Sequence, residues 1–508
     1  MFSVRYKTAL LALLLLFGCL CGCEKGSGAY IFKAAIVGNP KTLDPQTAPA
    51  DSSANIIRNT FRGLFGYDSA GNIVPDMAES YSVSGDGLKW TFALRDDVYW
   101  YADGFSAKCT AYDFVFAFRR LVNTAVKSAN AADFFVFKNA EKINKGKISD
   151  LSMLGVEAAD EATLSITLEY PDSDLPVLLA SSAAMPCSEE FFETTEGRYG
   201  LSADCVASNG AYYVHTWSYD EWSEDSNYFI LRRNTLNVPP DDESIPVGMN
   251  FFIDAKDAYA DFRDGTFGAY ISDSTVEISE LSGKYTYNTY ETVVWGLVFN
   301  PRSFADMRLR LEFAEKCVFS DSDCYRSAWR ITPPFNYGEK VTAAASAGLE
   351  FPASVNVIMP QNKELREQMN AAAQEWRSAF GISCNVFEPE TQTYEQRLRD
   401  GDYDIALVRI CGTNSSKYAY LSAFLSDSPR NFTGQKSKKL DHILDSAKKE
   451  QNEEPRESYY SEAESFLLES GFFAPVCSQK DYVFFNEKSA GVCYNPYLGA
   501  YIAIDTNF

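Results

Sequence analysis

Residues 354–410 read SVNVIMPQNKELREQMNAAAQEWRSAFGISCNVFEPETQTYEQRLRDGDYDIALVRI. SVNVIM (354–359), ISCNVFEP (382–389) and YDIALVRI (403–410) are short apolar runs of strand character. Between them, NKELREQMNAAAQEWRSAF (362–380) and TYEQRLRD (393–400) are helical segments that stop at Gly381 and Gly401. Glycine commonly takes the left-handed turn that ends a helix. Strand and helix therefore alternate, which predicts βαβ units and a parallel sheet. On the N-terminal side WGLVFN (295–300) is an apolar strand, and SFADMRLRLEFAEKCV (303–318) a helix with Ser303 as its cap. On the C-terminal side come helices SKKLDHILDSAKKE (437–450) and EPRESYYSEAESFLLES (454–470), the second with Pro455 in its first turn. FFAPVCSQKDYVFFNE (472–487) then returns to strand. An α/β lobe thus sits between two portions of a more β-rich one.

The more β-rich lobe opens with YIFKAAIVGNPKTLDP (30–45), a strand halted at Gly38-Asn39-Pro40. A helix is expected from about Asp51 to the glycines at 63 and 66. In LKWTFALR (88–95), Leu88, Trp90, Phe92 and Leu94 recur at period two, as in a half-buried strand. CTAYDFVFAFRRLVN (109–123) is a helix capped by Thr110, and TLSITLEY (163–170) a strand with Leu164, Ile166 and Leu168 inward.

The chain begins MFSVRYK, with Arg5 and Lys7 and no acid, followed by the apolar run TALLALLLLFG. About ten apolar residues suit an export signal, whereas a membrane-spanning helix needs about 20. Leu16-Phe17-Gly18-Cys19 and Leu20-Cys21-Gly22-Cys23 both resemble a bacterial lipobox. Cys23 is the expected lipidation site, because EKGSG behind it reads as a flexible tether. Zinc binding by the C-x-C-x-C cluster is disfavoured by the lack of a second ligand pair nearby. The net charge of −23 and pI near 4.6 argue against nucleic acid and against adsorption to an anionic membrane. Nine cysteines follow Cys23. Closeness in sequence suggests the pairs Cys187–Cys205, Cys317–Cys324 and Cys477–Cys493, with Cys384–Cys411 between neighbouring strands, in an oxidising compartment.

Several blocks carry a family pattern in order: NPKTLDP (39–45), the long run from Ile56 to Trp100, DGFSAKCTAYDFVFAFRRL (103–121), NGAYYVHTW (209–217), RRN (232–234) and GLVFNPRSFADMRLRLEFA (296–314). They resemble the oligopeptide/dipeptide-binding family (family 5) of extracellular solute-binding lipoproteins that serve ABC importers. The resemblance implies an α/β, two-lobed periplasmic-binding-protein-like fold (type II, class C) with an extra N-terminal subdomain. On that pattern residues 1–22 are the signal peptide and 23–30 a lipid-anchored linker. Residues 31–60, 185–294 and 478–508 form lobe I, 61–184 the extra subdomain, and 295–477 lobe II. It further implies a monomer on the outer side of a bacterial cell membrane, which captures a peptide or peptide-like solute between its lobes for a membrane permease. No cofactor or metal is expected. The strands crossing between lobes, near 298–300 and 475–479, are the expected hinge.

Departures from the family touch the ligand. About three extra residues lie between Trp100 and Ala111. Peptide binders usually carry W-x-A-D-Y in the segment that here reads VRICGTNSSKYAY (408–420), and that aspartate pairs with the ligand's α-amino group. Here Thr413, Asn414 or Ser415 takes its place, and Asn39 sits where some peptide binders have an acid. A ligand neutral or acidic at that end is the expectation, since a buried ammonium needs a charged or well-placed acceptor. The expected ligand-binding residues are Asn39, Trp295, Arg409, Cys411, Thr413, Asn414, Tyr482 and Tyr494. Arg409 can meet a carboxylate bidentately or form an internal ion pair, and the aromatic residues, Tyr497 among them, line the cleft or belong to the core.

Two other classes compete. A surface hydrolase would need catalytic residues, but the chain has two histidines, His215 and His442, and no H-E-x-x-H, G-x-S-x-G or Gly-rich phosphate loop. Its one S-x-x-K, Ser446 to Lys449, lies in a charged helix. A binder of an oligosaccharide, a modified amino acid or a metal chelate would keep the fold. Scarce histidine disfavours direct metal coordination, and abundant aromatics suit sugar rings. An adhesin or sensor uncoupled from transport is a further variant.

Overall fold

The computed structural model describes residues 30–48, 52–172, 174–223, 227–342, 348–412, 414–428, 430–450 and 452–504. The export segment, Cys23, the linker and Thr413 lie outside the described residues.

The first strand, Ile31–Ile36, alternates Phe32, Ala34 and Ile36 inward and pairs in parallel with Gly248–Ile253. Tyr228–Arg233 and Tyr212–Ser218 extend this four-stranded sheet in antiparallel fashion. A second four-stranded antiparallel sheet runs Ala78–Val83, Lys89–Leu94, Thr163–Thr167, Val156–Asp160. Trp90, Phe92 and Leu94 are buried in it, as are Leu164 and Ile166. Helix Ala111–Val122 covers this sheet, and the Thr110 N–H donates to Asp113 Oδ2 at its start (2.7 Å). Both sheets share one hydrophobic core, so the extra subdomain is welded to lobe I.

Lobe II rests on a seven-stranded sheet that runs past the boundaries expected at residues 294 and 477, taking in Ala269–Ser272, the start of Thr286–Phe299 and the end of Ala474–Phe485. Its order is Ala269–Ser272, Ala474–Phe485, Thr286–Phe299, Ile405–Cys411, Ser354–Ile358, Ser383–Phe387, with Tyr325–Ser327 also on Ala474–Phe485. Only the three strands of the 354–410 stretch are mutually parallel. The expectation of a parallel sheet fails beyond them, because the two long strands, Thr286–Phe299 and Ala474–Phe485, pair antiparallel with each other, and Thr286–Phe299 with Ile405–Cys411. A core lies on each face, one around Phe313, Met369 and Trp376, the other around Leu440, Leu444 and Leu467. Helix Lys363–Phe380 is capped by Asn362 and closed by Gly381 at φ +67°, and Thr391–Asp400 by Gly401 at φ +64°. Asp306, not Ser303, caps Met307–Glu315. The chain from Asn300 first makes a turn in which the Asn300 carbonyl accepts from Ser303 and Phe304, and the Ser303 hydroxyl donates to Asp404 instead (2.6 Å).

None of the expected disulfides forms; all nine described cysteines are free. The strands of Cys384 and Cys411 are separated by Ser354–Ile358, about 10 Å apart, and the cysteines are further staggered along them, Cys384 opposite Val355 and Cys411 well past the Ile405–Val357 pair, beyond the reach of a disulfide. Cys187 packs beneath Arg120 (3.5 Å), and Cys324 Sγ donates to the Asp273 carbonyl (2.7 Å). Cys477 has Cys317 for its neighbour rather than Cys493, which sits in the hairpin facing Tyr501. Among the described residues no helix is long and apolar enough to cross a membrane.

Candidate functional site

Thr286–Phe299 is apolar at its lobe II end (VVWGLVF) and polar at its start (TYNTYET), and Ala474–Phe485 is interrupted by Ser478-Gln479-Lys480-Asp481. The two polar stretches pair, and the register shifts between Glu291 and Val293 and again between Trp295 and Gly296. Such bulges re-aim side chains. Here Trp295, held between Arg409 on one side and Cys477 on the other, donates its Nε1–H to Gln479 Oε1 (3.0 Å). Gln479 Nε2 in turn donates to Asp481 Oδ1 (2.8 Å). Burial raises the Asp481 carboxyl above its ordinary range, against the opposing pull of the Gln479 hydrogen bond and the Arg409 charge. Arg409 is exposed and forms no ion pair among the described residues.

Asp481 pairs with Tyr290, whose hydroxyl donates to the Tyr494 carbonyl (3.1 Å); the two rings lie 5.7 Å apart. An open cavity of about 550 Å³ shares these tyrosines and is further lined by Asn288 and Asn495. From lobe II, the Tyr420 hydroxyl meets the Tyr497 hydroxyl (2.7 Å) and donates to the Thr292 carbonyl (2.9 Å). Arg430 donates to the carbonyls of Cys411 and Ala419 (3.2 Å each) and so fixes the end of strand Ile405–Cys411.

At the opposite lip, away from the crossing strands, Lys448 from helix Lys438–Lys449 faces Tyr170, Asp172 and Asp133 of the subdomain. Burial alone would lower its ammonium, but Tyr418, Tyr170 and the two acids outweigh burial and hold it above the ordinary value. Burial raises both Asp133 and Asp172 against the pull of Lys448. Lys449 Nζ stands 5.6 Å over the Tyr170 ring, and Arg456 lies 3.9 Å from Asp174.

Comparison with known proteins fits this architecture. The model for bacterial extracellular solute-binding proteins, family 5 (middle region), matches residues 72–311. The periplasmic oligopeptide-binding protein OppA of Salmonella typhimurium is 23% identical over 504 residues, covering 92% of this chain and 88% of its own length. Over that middle region the chain is similar to family 5 of the bacterial extracellular solute-binding proteins, and over nearly its whole length to OppA. Among solved structures, the murein tripeptide binding protein MppA of Escherichia coli superposes with a TM-score of 0.73 at 22% identity, covering 94% of this chain and 100% of its own. Haemophilus influenzae OppA in complex with RPPGFSPFR gives 0.71 at 20% identity, with coverages of 94% and 100%.

In this chain the expected ligand residues divide. Trp295, Arg409, Cys411 and Tyr494 gather around the crossing strands. Asn39 Oδ1 is engaged by Trp217 Nε1 (3.1 Å) at the edge of the first sheet. Asn414 Oδ1 accepts from the Ser416 N–H (2.8 Å), in a turn ahead of helix Lys417–Leu421. Tyr482 points to the face opposite Asp481 and donates to the Asp323 carbonyl (3.2 Å). Sequence reasoning missed Gln479, Asp481 and Tyr290. The signal was partial: a polar stretch, Ser478-Gln479-Lys480-Asp481, interrupts a strand beside the expected hinge at 475–479, but it does not single out Asp481. The hydrolase candidates do not assemble: His442 is exposed, Ser446 donates to its carbonyl (2.9 Å), and Lys449 is bound to Asp445 (2.8 Å). His215 lies exposed on strand Tyr212–Ser218, its ring edge to face with Tyr213 at 6.2 Å.

Proposed function

We propose that this chain is a family 5 solute-binding protein that captures a peptide between its lobes and hands it to the permease of an ABC importer. The observation that carries the reading is the crossing. Two paired strands, 14 and 12 residues long, span the boundaries expected between the lobes, and the polar start of the first lies beside the polar middle of the second. Strands of that kind bend without breaking the ladder, and exposed edge groups in a cleft can pair with an extended backbone. The peptide complex of H. influenzae OppA supports this choice of ligand. The chain acts as a monomer, held to the outer face of the cell membrane by a lipid on Cys23, with lobe boundaries near residues 294 and 477; the lipobox-like segment supports the anchor. Two acyl chains hold a protein where one binds only marginally.

Native mass spectrometry of protein purified without unfolding is expected to show retained peptide masses, and calorimetry to detect binding from a pool of tri- to pentapeptides. Binding of oligosaccharides with no response to the pool would overturn the peptide reading. Cys23→Ala is expected to move the protein from the membrane to the soluble fraction; unchanged membrane retention would refute the anchor.

A further inference from the structure

Resting on the peptide reading above, we propose that Asp481 receives the ligand's ammonium group, with Tyr290 and Tyr494 as the aromatic walls of its pocket. The acid that family relatives place in the 408–420 segment is absent here, yet the cleft is not without a carboxylate. Asp481 stands in the middle of the second crossing strand, half-buried, and among the described residues Gln479 is its only hydrogen-bond donor. An ionised carboxylate offers about four acceptor positions, so most of its capacity is unused. Arg409 acts on it through space but lies on Ile405–Cys411, beyond the intervening strand Thr286–Phe299, and makes no ion pair with it. A half-satisfied anion in a desolvated place is costly unless a cation arrives to complete it.

The surroundings suit an ammonium. Tyr290 is directly opposite Asp481 in register, and Tyr494 is close enough for the Asp481 charge to act on its hydroxyl. Aromatic faces attract cations, and a carboxylate beside this packed ring pair adds a charged acceptor. The cavity of about 550 Å³ beside these tyrosines has a neutral lining that includes Asn288 and Asn495, room for residues bonded to the ammonium. Gln479 is a positioning residue. Trp295 holds its carbonyl oxygen, so its amide NH₂ faces Asp481. The ligand class is therefore a peptide with a free, protonated N-terminus, contrary to the neutral or acidic end expected from the missing family aspartate.

Calorimetry on the full chain, stripped of retained ligand, tests this with trialanine and N-acetyl-trialanine. Trialanine is expected to bind about ten- to a hundredfold more tightly. Asp481→Asn is expected to erase that preference, leave the acetylated peptide's affinity unchanged, and raise the melting temperature of the empty protein, since it removes a desolvated charge. The wild-type preference should fade as pH falls through the raised Asp481 value and be flat with pH in the variant. Gln479→Leu should move that midpoint to higher pH, because the lost hydrogen bond had favoured the ionised acid. Equal binding of both peptides, or a preference that survives Asp481→Asn, overturns the assignment while the peptide reading stands. No binding of either peptide or of the wider pool overturns both.

Discussion

The two ends of the cleft are held in different ways. At the hinge end the lobes share backbone: Thr286–Phe299 and Ala474–Phe485 stay paired from Thr286 to Leu297, and the Trp295–Gln479–Asp481 chain lies across them. At the mouth, among the described residues, no strand or helix continues between the lobes. Side chains alone meet there, with Lys448, Lys449 and Arg456 on one lip and Asp133, Tyr170, Asp172 and Asp174 on the other. Backbone ladders are all-or-none features of the folded state, whereas partly exposed ion pairs contribute little to stability and are screened by salt. The contrast teaches where folding ends and function begins. One end fixes the fold, and the other is free to open.

The largest effect that sharpens this contrast is at the hinge. Trp295→Ala is expected to lower unfolding free energy by about 3–5 kcal/mol, as for other buried tryptophans, measured by urea denaturation. The double change Lys448→Ala, Arg456→Ala at the mouth should cost no more than about 1 kcal/mol in the same assay. Equal losses at both ends would break the comparison.

The mouth variant should show its effect elsewhere. With peptide bound at subsaturating concentration, its radius of gyration by X-ray scattering should exceed that of the wild type. The wild type should approach that value as salt is raised, and the variant should be insensitive to salt. Salt sensitivity that persists in the variant would place the closing contacts elsewhere.

A smaller effect concerns pH. Burial raises Asp133, which faces Lys448 and Arg430, and Asp172, which faces Lys448, Arg456 and Asp174. In an open form these acids regain water and their ordinary values, so closure takes up protons. Closure of the ligand-free protein is therefore opposed at neutral pH and becomes easier as pH falls through the raised values, an effect complete below the ordinary carboxylate range. Scattering of the empty protein between pH 7 and pH 4 checks this; expansion over that interval would have the wrong sign. The smallest effect is at Cys411, half-buried beside the hinge, whose alkylation by iodoacetamide should slow when peptide is bound. Reducing agent should leave the melting temperature unchanged, since no described cysteine is bridged.

The parts of this fold that were readable in the sequence are those where local pattern and burial agree. Gly381 and Gly401 end helices where expected because each takes the left-handed conformation that reverses the chain toward its next strand. Trp90, Phe92 and Leu94 alternate because one face of their sheet is core. Ser303 was misread because a cap depends on where the chain turns, and the Asn300 turn consumes three residues first. The cysteine pairs failed for a similar reason: closeness in sequence says nothing of the strand between Cys384 and Cys411. Half of the site followed the same logic. Trp295 and Arg409 are legible as residues of strands that reach the cleft. Asp481 is not, since its role depends on which face of a bulged strand looks toward Tyr290 and Tyr494, and register is a tertiary property.

The account as a whole requires that the lobes move about the crossing strands and close on a peptide. Small-angle X-ray scattering of the ligand-stripped chain, before and after saturation with the tri- to pentapeptide pool, tests that most directly. A smaller radius of gyration on addition, with the secondary-structure signal unchanged, is the expected result. An identical radius in both states, with binding verified in the same samples, would contradict it.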